Sequence, residues 1–158
     1  MYRRFLILLL LFICDKSYSQ SNLNYTKVEV PEISSIEVKS IFIDSQGFNW
    51  ISTAEGLNRF DGINNTIFRS NPFDNKTISN NFSKAVFQVD DDGVFITTSS
   101  GLDYFNYKNL EFERIESKSS PTSYYSSKNY VFVPTETEGL FIYDVENDTI
   151  IDDLKFDP

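Results

Sequence analysis

Histidine is absent from this chain of 158 residues, and cysteine occurs once, at Cys14. The first absence removes a histidine general base, a histidine-ligated zinc site and a phospho-accepting histidine from the functions open to it. The second removes a disulfide framework, because Cys14 lies in an N-terminal segment expected to be cleaved, and no cysteine follows it. Stability then rests on packing. Positive charge is scarce as well, with 14 Lys and Arg against 23 Asp and Glu and a net charge of −9. The leading segment carries Arg3, Arg4 and Lys16 against Asp15, so the remainder stands at about −11. A chain this acidic offers no electrostatic footprint for nucleic acid or anionic lipid headgroups. It favours neutral or cationic partners.

Long apolar runs are missing too. The unbroken run over residues 5–13 is far shorter than the roughly 20 residues of a membrane-spanning helix. It follows the basic start Met1-Tyr2-Arg3-Arg4 and precedes Ser17-Tyr18-Ser19, small residues of the kind a signal peptidase reads. Residues 1–19 therefore read as a secretory signal peptide. Cys14 raises the alternative of an acylated lipoprotein cysteine, but Ile13 stands where such a signal wants a small residue.

What the chain does have is aromatic and β-branched residues in runs of three to five, separated by tight turns. In residues 38–70, strands are predicted at 41–43, 49–53, 57–60 and 66–68, with turns at Asp44-Ser45-Gln46-Gly47, Glu55-Gly56 and Asp61-Gly62. None of these runs is long enough for a helix with an apolar stripe. The pattern returns in residues 82–116 and 123–152. Asn49-Trp50-Ile51-Ser52-Thr53-Ala54-Glu55-Gly56-Leu57 aligns with Val94-Phe95-Ile96-Thr97-Thr98-Ser99-Ser100-Gly101-Leu102. Tyr130-Val131-Phe132-Val133-Pro134-Thr135 aligns with both and reaches its own Gly139-Leu140 after extra residues. Four strands per unit, repeated about every forty residues, point to an all-β fold, a partial β-propeller of about three four-stranded antiparallel blades. A β-sandwich is the rival, but it has no reason to repeat one phrase on schedule. Residues 20–37 are expected to hold an N-terminal strand (25–30) and a lead-in, and residues 153–158 a link onward.

The phrase from Ile41 through Trp50 to Gly62 resembles the two-component regulator propeller repeat, with its D-x-x-G turn, W-I-G-T strand and G-L-x-R-[FY]-D-G close. The resemblance spans residues 25–151 and is strongest in the first blade. Ser52 stands where the family has Gly, and Phe95 and Phe132 where it has Trp. The resemblance implies the N-terminal piece of a periplasmic sensor region, as in hybrid two-component sensors of the Bacteroidetes type. It also implies an extracellular ligand, with oligosaccharides as the class many members detect, and a relay to a membrane-linked kinase outside this chain. Three blades fall short of the about four to eight that close a ring, so the expected partners also include further blades of the same protein. Assembly with other chains is the alternative.

Ligand sites in propellers lie on turns at one mouth of the ring. Glu55, Asn58, Arg59 and Glu138 are therefore the candidate ligand-binding residues. Trp50 reads as blade packing, because Phe95 and Phe132 share its place. Arg59 with Asp61 reads more readily as a structural pair, and Tyr124 and Tyr125 stay undecided. Asp90-Asp91-Asp92-Gly93 lacks the alternation of a calcium loop and reads as a hairpin turn in the same place as Asp44–Gly47. No cofactor, metal or catalytic constellation is expected. A secreted carbohydrate-binding or interaction propeller without signalling output is the alternative function, and a propeller enzyme is the least supported.

Overall fold

The structure is a computed structural model that describes residues 26–27, 30–115 and 119–154, the last three by their backbone alone. The expected signal peptide, half of the expected strand over 25–30 and the end of the expected link lie outside the described residues. Twelve strands follow one another: β1 (Val38–Ile43), β2 (Asn49–Thr53), β3 (Gly56–Phe60), β4 (Asn65–Phe68), β5 (Ser83–Phe87), β6 (Gly93–Thr98), β7 (Gly101–Asn106), β8 (Glu111–Ile115), β9 (Tyr125–Ser127), β10 (Tyr130–Pro134), β11 (Leu140–Asp144) and β12 (Thr149–Leu154). They form three separate antiparallel sheets of four strands, each connected in simple up-and-down order. These are the three blades of a partial propeller, and β1 and β5, the first strands of blades 1 and 2, lie against each other. Among the described residues no helix is long and apolar enough to cross a membrane.

The hairpins follow from local chemistry. Thr53 pairs with Gly56 and Thr98 with Gly101, which leaves the two-residue turns Ala54-Glu55 and Ser99-Ser100. In each, the threonine hydroxyl donates to the glycine carbonyl and accepts the amide of the residue before the glycine. Gly56 has φ +146°, and a Cβ there would lie 3.1 Å from the Phe68 carbonyl and 3.2 Å from Ser34 Cβ. Glycine is therefore required by both backbone angle and space.

Blades stack face to face, and alternation along each strand decides what is buried between them. Trp50 and Leu57 of blade 1 pack with Val86, Ile96, Phe105 and Phe112 of blade 2. One blade on, Phe95 and Leu102 pack with Val131, Val133, Phe141 and Tyr143 of blade 3. Trp50, Leu57, Phe95 and Leu102 are each no more than 1% exposed. Their counterparts in blade 3, Phe132 and Leu140, are only partly buried, beside the exposed ring of Tyr125. With Pro134 these side chains line an open apolar hollow on the outer side of blade 3. The residues that bury one blade beneath the next are thus present on blade 3, and among the described residues none covers them.

The two D-x-x-G turns do not occupy the same place. Phe42 pairs with Trp50 and Phe87 with Phe95, so Asp44 corresponds to Val89 and Phe48 to Gly93. Gly47 sits in the turn at φ +88°, whereas Gly93 is the first residue of β6. In blade 3, Ser127 belongs to a strand rather than to a turn, and the reversal falls on Lys128, at φ 53°, and Asn129.

Candidate functional site

The four candidate residues separate in space. Glu55 is exposed at the tip of the β2–β3 turn, and its carbonyl accepts the Arg69 Nε. Glu138 is half-buried in the corresponding β10–β11 turn, with its amide donated to Thr135 Oγ1. Both keep their carboxylates for solvent or a ligand at the same end of their blades. Asn58 does not join them. It is fully buried, its Oδ1 accepting the Ser34 amide and its Nδ2 donating to Ser34 Oγ and the Ile51 carbonyl. Its side chain fastens the lead-in loop to the blade, so it presents no group to a ligand. The spacing from Gly56 put it beyond the turn, but it lies on the face of β3 opposite Leu57 and Arg59, where the loop carrying Ser34 covers it.

Arg59 lies toward the other end of blade 1. Its guanidinium carbon sits 4.8 Å from the centre of the Phe48 ring, 5.5 Å from Phe105, 5.7 Å from Phe68 and 5.8 Å from Trp50. Cation–π contacts are worth about 0.5–1 kcal/mol at exposed sites and about 2 kcal/mol when desolvated, and Arg59, partly buried, falls between these. Asp61, the expected partner of Arg59, instead accepts the amides of Ile63 and Asn64, and these bonds hold its carboxyl below the usual range. The arginine serves as a lid on the core between blades 1 and 2.

A cleft of about 740 Å³ opens at this end of the molecule between blades 2 and 3. Its wall includes Phe95, Tyr104 and Tyr143, and its rim includes Asp90, Asp91, Asp92, Glu113 and Asp148, with Lys108 the one basic residue among the lining groups. Tyr104 owes its position to Gly93, because a Cβ on that glycine would come within 2.5 Å of the Tyr104 ring. Burial, reinforced by Asp90, Asp92 and Glu113, pushes the Tyr104 phenol well above its ordinary pKa. Burial and a hydrogen bond to Asp148 do the same for Tyr143. Both phenols stay neutral near pH 7. The volume falls in the range of small-molecule sites. Aromatic faces beside fixed acceptors suit neutral polyhydroxylated or cationic molecules, and the carboxylates repel anions. Among the described residues no cluster of His, Cys, Asp and Glu has the geometry to hold a metal ion.

The sequence marked Asp90-Asp91-Asp92-Gly93 only as a turn. The cleft escaped notice because Tyr104, Glu113 and Tyr143 come from strands of two blades. A tyrosine diagonal to a glycine on the neighbouring strand was the available signal.

No family profile matches the chain, and no curated protein matches it. Solved structures do. The extracellular domain of the hybrid two component system BT3049 from B. thetaiotaomicron superposes with a TM-score of 0.67 at 15% identity, over 80% of this chain and 19% of that one. An extracellular domain of BT4673 from the same organism gives 0.62 at 17% identity, over 78% and 16%. The computationally designed Ika4 protein gives 0.59 at 13% identity, over 82% of this chain and 79% of that one. The chain spans less than a fifth of the two extracellular domains it resembles. Its fold is the one found in the extracellular domains of BT3049 and BT4673.

Proposed function

We propose that this chain is part of the extracellular sensory propeller of a two-component sensor, in the family of the two-component regulator propeller repeat. In this reading the chain is exported by its signal peptide to the periplasm. Its propeller binds an extracellular ligand, of which oligosaccharides are the favoured class, and signal output passes to a membrane-linked kinase elsewhere in the protein. The observation that carries the proposal is the joint one of a fold shared with sensor extracellular domains and an aromatic-walled cleft rimmed by carboxylates. The open apolar side of blade 3 supports the further reading that more blades of the same protein stack there. The cleft between blades 2 and 3 is the preferred binding site, and the turns carrying Glu55 and Glu138 are the second.

Thermal unfolding with a panel of neutral oligosaccharides and amino sugars tests this. A ligand at a hundred times its dissociation constant adds about 2.7 kcal/mol to stability, which reads as a clear rise in Tm. The expected result is a rise with one sugar class, lost in Tyr104→Ala and Glu113→Ala but kept in Glu55→Ala and Glu138→Ala. Loss in the last two alone moves the site to the turn end. No shift with any sugar contradicts the oligosaccharide reading.

A further inference from the structure

Blades 1 and 2 receive their lead-in loops through the same clasp. A loop serine meets the threonine at the end of the second strand: Ser34 and Thr53 at 2.8 Å, Ser79 and Thr98 at 2.8 Å. The same serine bonds a side chain at the third position of the third strand. In blade 1 that residue is Asn58, which both accepts and donates. In blade 2 it is Asp103. Its Oδ2 accepts the Ser79 amide at 3.1 Å and the Ser79 hydroxyl at 2.7 Å. Its Oδ1 is buried and has no partner, and the residue is fully buried.

We propose that Asp103 is a proton-operated clasp on the loop joining blade 1 to blade 2, holding that loop more tightly in weak acid than at neutral pH. The comparison with Asn58 supplies the reason. Asn58 places an N–H where it donates to the carbonyl of Ile51, its cross-strand neighbour. Asp103 pairs in register with Ile96 in the same way, but an ionised carboxylate has nothing to donate. A proton on Oδ1 turns that oxygen into a donor and gives blade 2 the bonding pattern of blade 1. It also removes a buried negative charge.

The surroundings agree on direction. Burial lifts the carboxyl from 3.8 to about 6, opposed by the two bonds from Ser79 and by the charge of Arg114 on β8. The lead-in loop contributes Ser79 and β6 contributes Thr98 and Ile96, none of which titrates. Arg114 itself donates to the carbonyls of Asp74 and Thr77, so it grips the same loop. Because the folded value lies above the unfolded one, the proton is bound in the folded chain first. The clasp's contribution is full below the unfolded value of 3.8 and is lost as pH rises through about 6. The Asn58 clasp carries no charge and has no such dependence.

Carbon-13 NMR of the side-chain carboxyl, followed through a pH titration of the wild-type protein, tests this without any variant. Amide hydrogen exchange over residues 77–82, in the wild type and in Asp103→Asn, reads the mechanical consequence. The expected result is an Asp103 midpoint near 6 and a loop opening constant that grows about tenfold from about pH 5 to about pH 7.5 in the wild type relative to Asp103→Asn. A midpoint at or below 4 overturns the proposal. So does an Asp103→Asn loop that keeps the wild-type dependence on pH.

Discussion

Replacing Asp44 with alanine is expected to cost about 3–5 kcal/mol, a large part of the about 5–15 kcal/mol that holds a typical domain folded. Four donors converge on this one carboxylate, which is only 5% exposed. Oδ1 accepts the amides of Gln46 at 3.0 Å and Phe48 at 2.8 Å and so shapes the β1–β2 turn. Oδ2 accepts the Trp50 indole and the Tyr107 hydroxyl, both at 2.7 Å. Tyr107 belongs to blade 2, so the carboxylate also ties two blades together. Its phenol is raised well above its ordinary pKa, by burial first and then by Asp44, and stays a donor. Alanine would leave an indole N–H and a phenol stranded beside the core, each at about 1–3 kcal/mol. Blade 2 shows the coherent alternative, where Val89 replaces the carboxylate and Phe95 the indole. The double variant Asp44→Val with Trp50→Phe should therefore cost less than the sum of its parts, by about 1–3 kcal/mol. Chemical denaturation of the wild type, Asp44→Ala, Asp44→Val, Trp50→Phe and the double variant measures this. An Asp44→Ala cost under about 1 kcal/mol would show that the four bonds do not hold the turn and the two blades together.

Gly93→Ala is the second large effect, at about 3 kcal/mol. The glycine's φ is ordinary, so the cost is one of space. A Cβ would stand 2.3 Å from the Phe105 carbonyl oxygen and 2.5–2.6 Å from the end of the Tyr104 ring. The ring can move, but the carbonyl cannot without opening the β6–β7 ladder, where Val94 pairs with Phe105. Adding Tyr104→Ala to Gly93→Ala should thus recover only part of the loss. Circular dichroism melts of the single and double variants give the comparison. Full recovery would show that the ring alone caused the strain, and no loss at all would contradict the placement of Tyr104 in the cleft wall.

These two residues also show which parts of the molecule can be read from sequence. The blades were legible because each strand is a short aromatic run and because one phrase recurs, which assigned Trp50 to packing on the strength of Phe95 and Phe132. Asp44 was legible as a turn residue and no more, because Tyr107 is 63 positions away and meets it only when the blades stack. Asn58 was misjudged because its burial depends on Ser34, 24 positions earlier, lying across it. Asp90-Asp91-Asp92-Gly93 looked like a copy of Asp44–Gly47, and only strand register shows the one-residue offset. Local patterns gave the strands and their order. Contacts between a blade and a loop, or between two blades, required the third dimension.

The three blades form an open stack, and the apolar side of blade 3 is left uncovered among the described residues. Phe132 and Leu140 stand where Trp50, Phe95, Leu57 and Leu102 are buried by a following blade, and here they are partly exposed. An apolar blade side left open drives association, because burying it removes roughly 25 cal/mol per Å² of unfavourable hydration. Sedimentation equilibrium of the chain, as wild type and as Phe132→Asp, measures this directly. The expected result is a wild-type average mass that climbs with protein concentration and a marked weakening of that climb in the variant. A wild type that stays at the mass of one chain over the whole concentration range would contradict it.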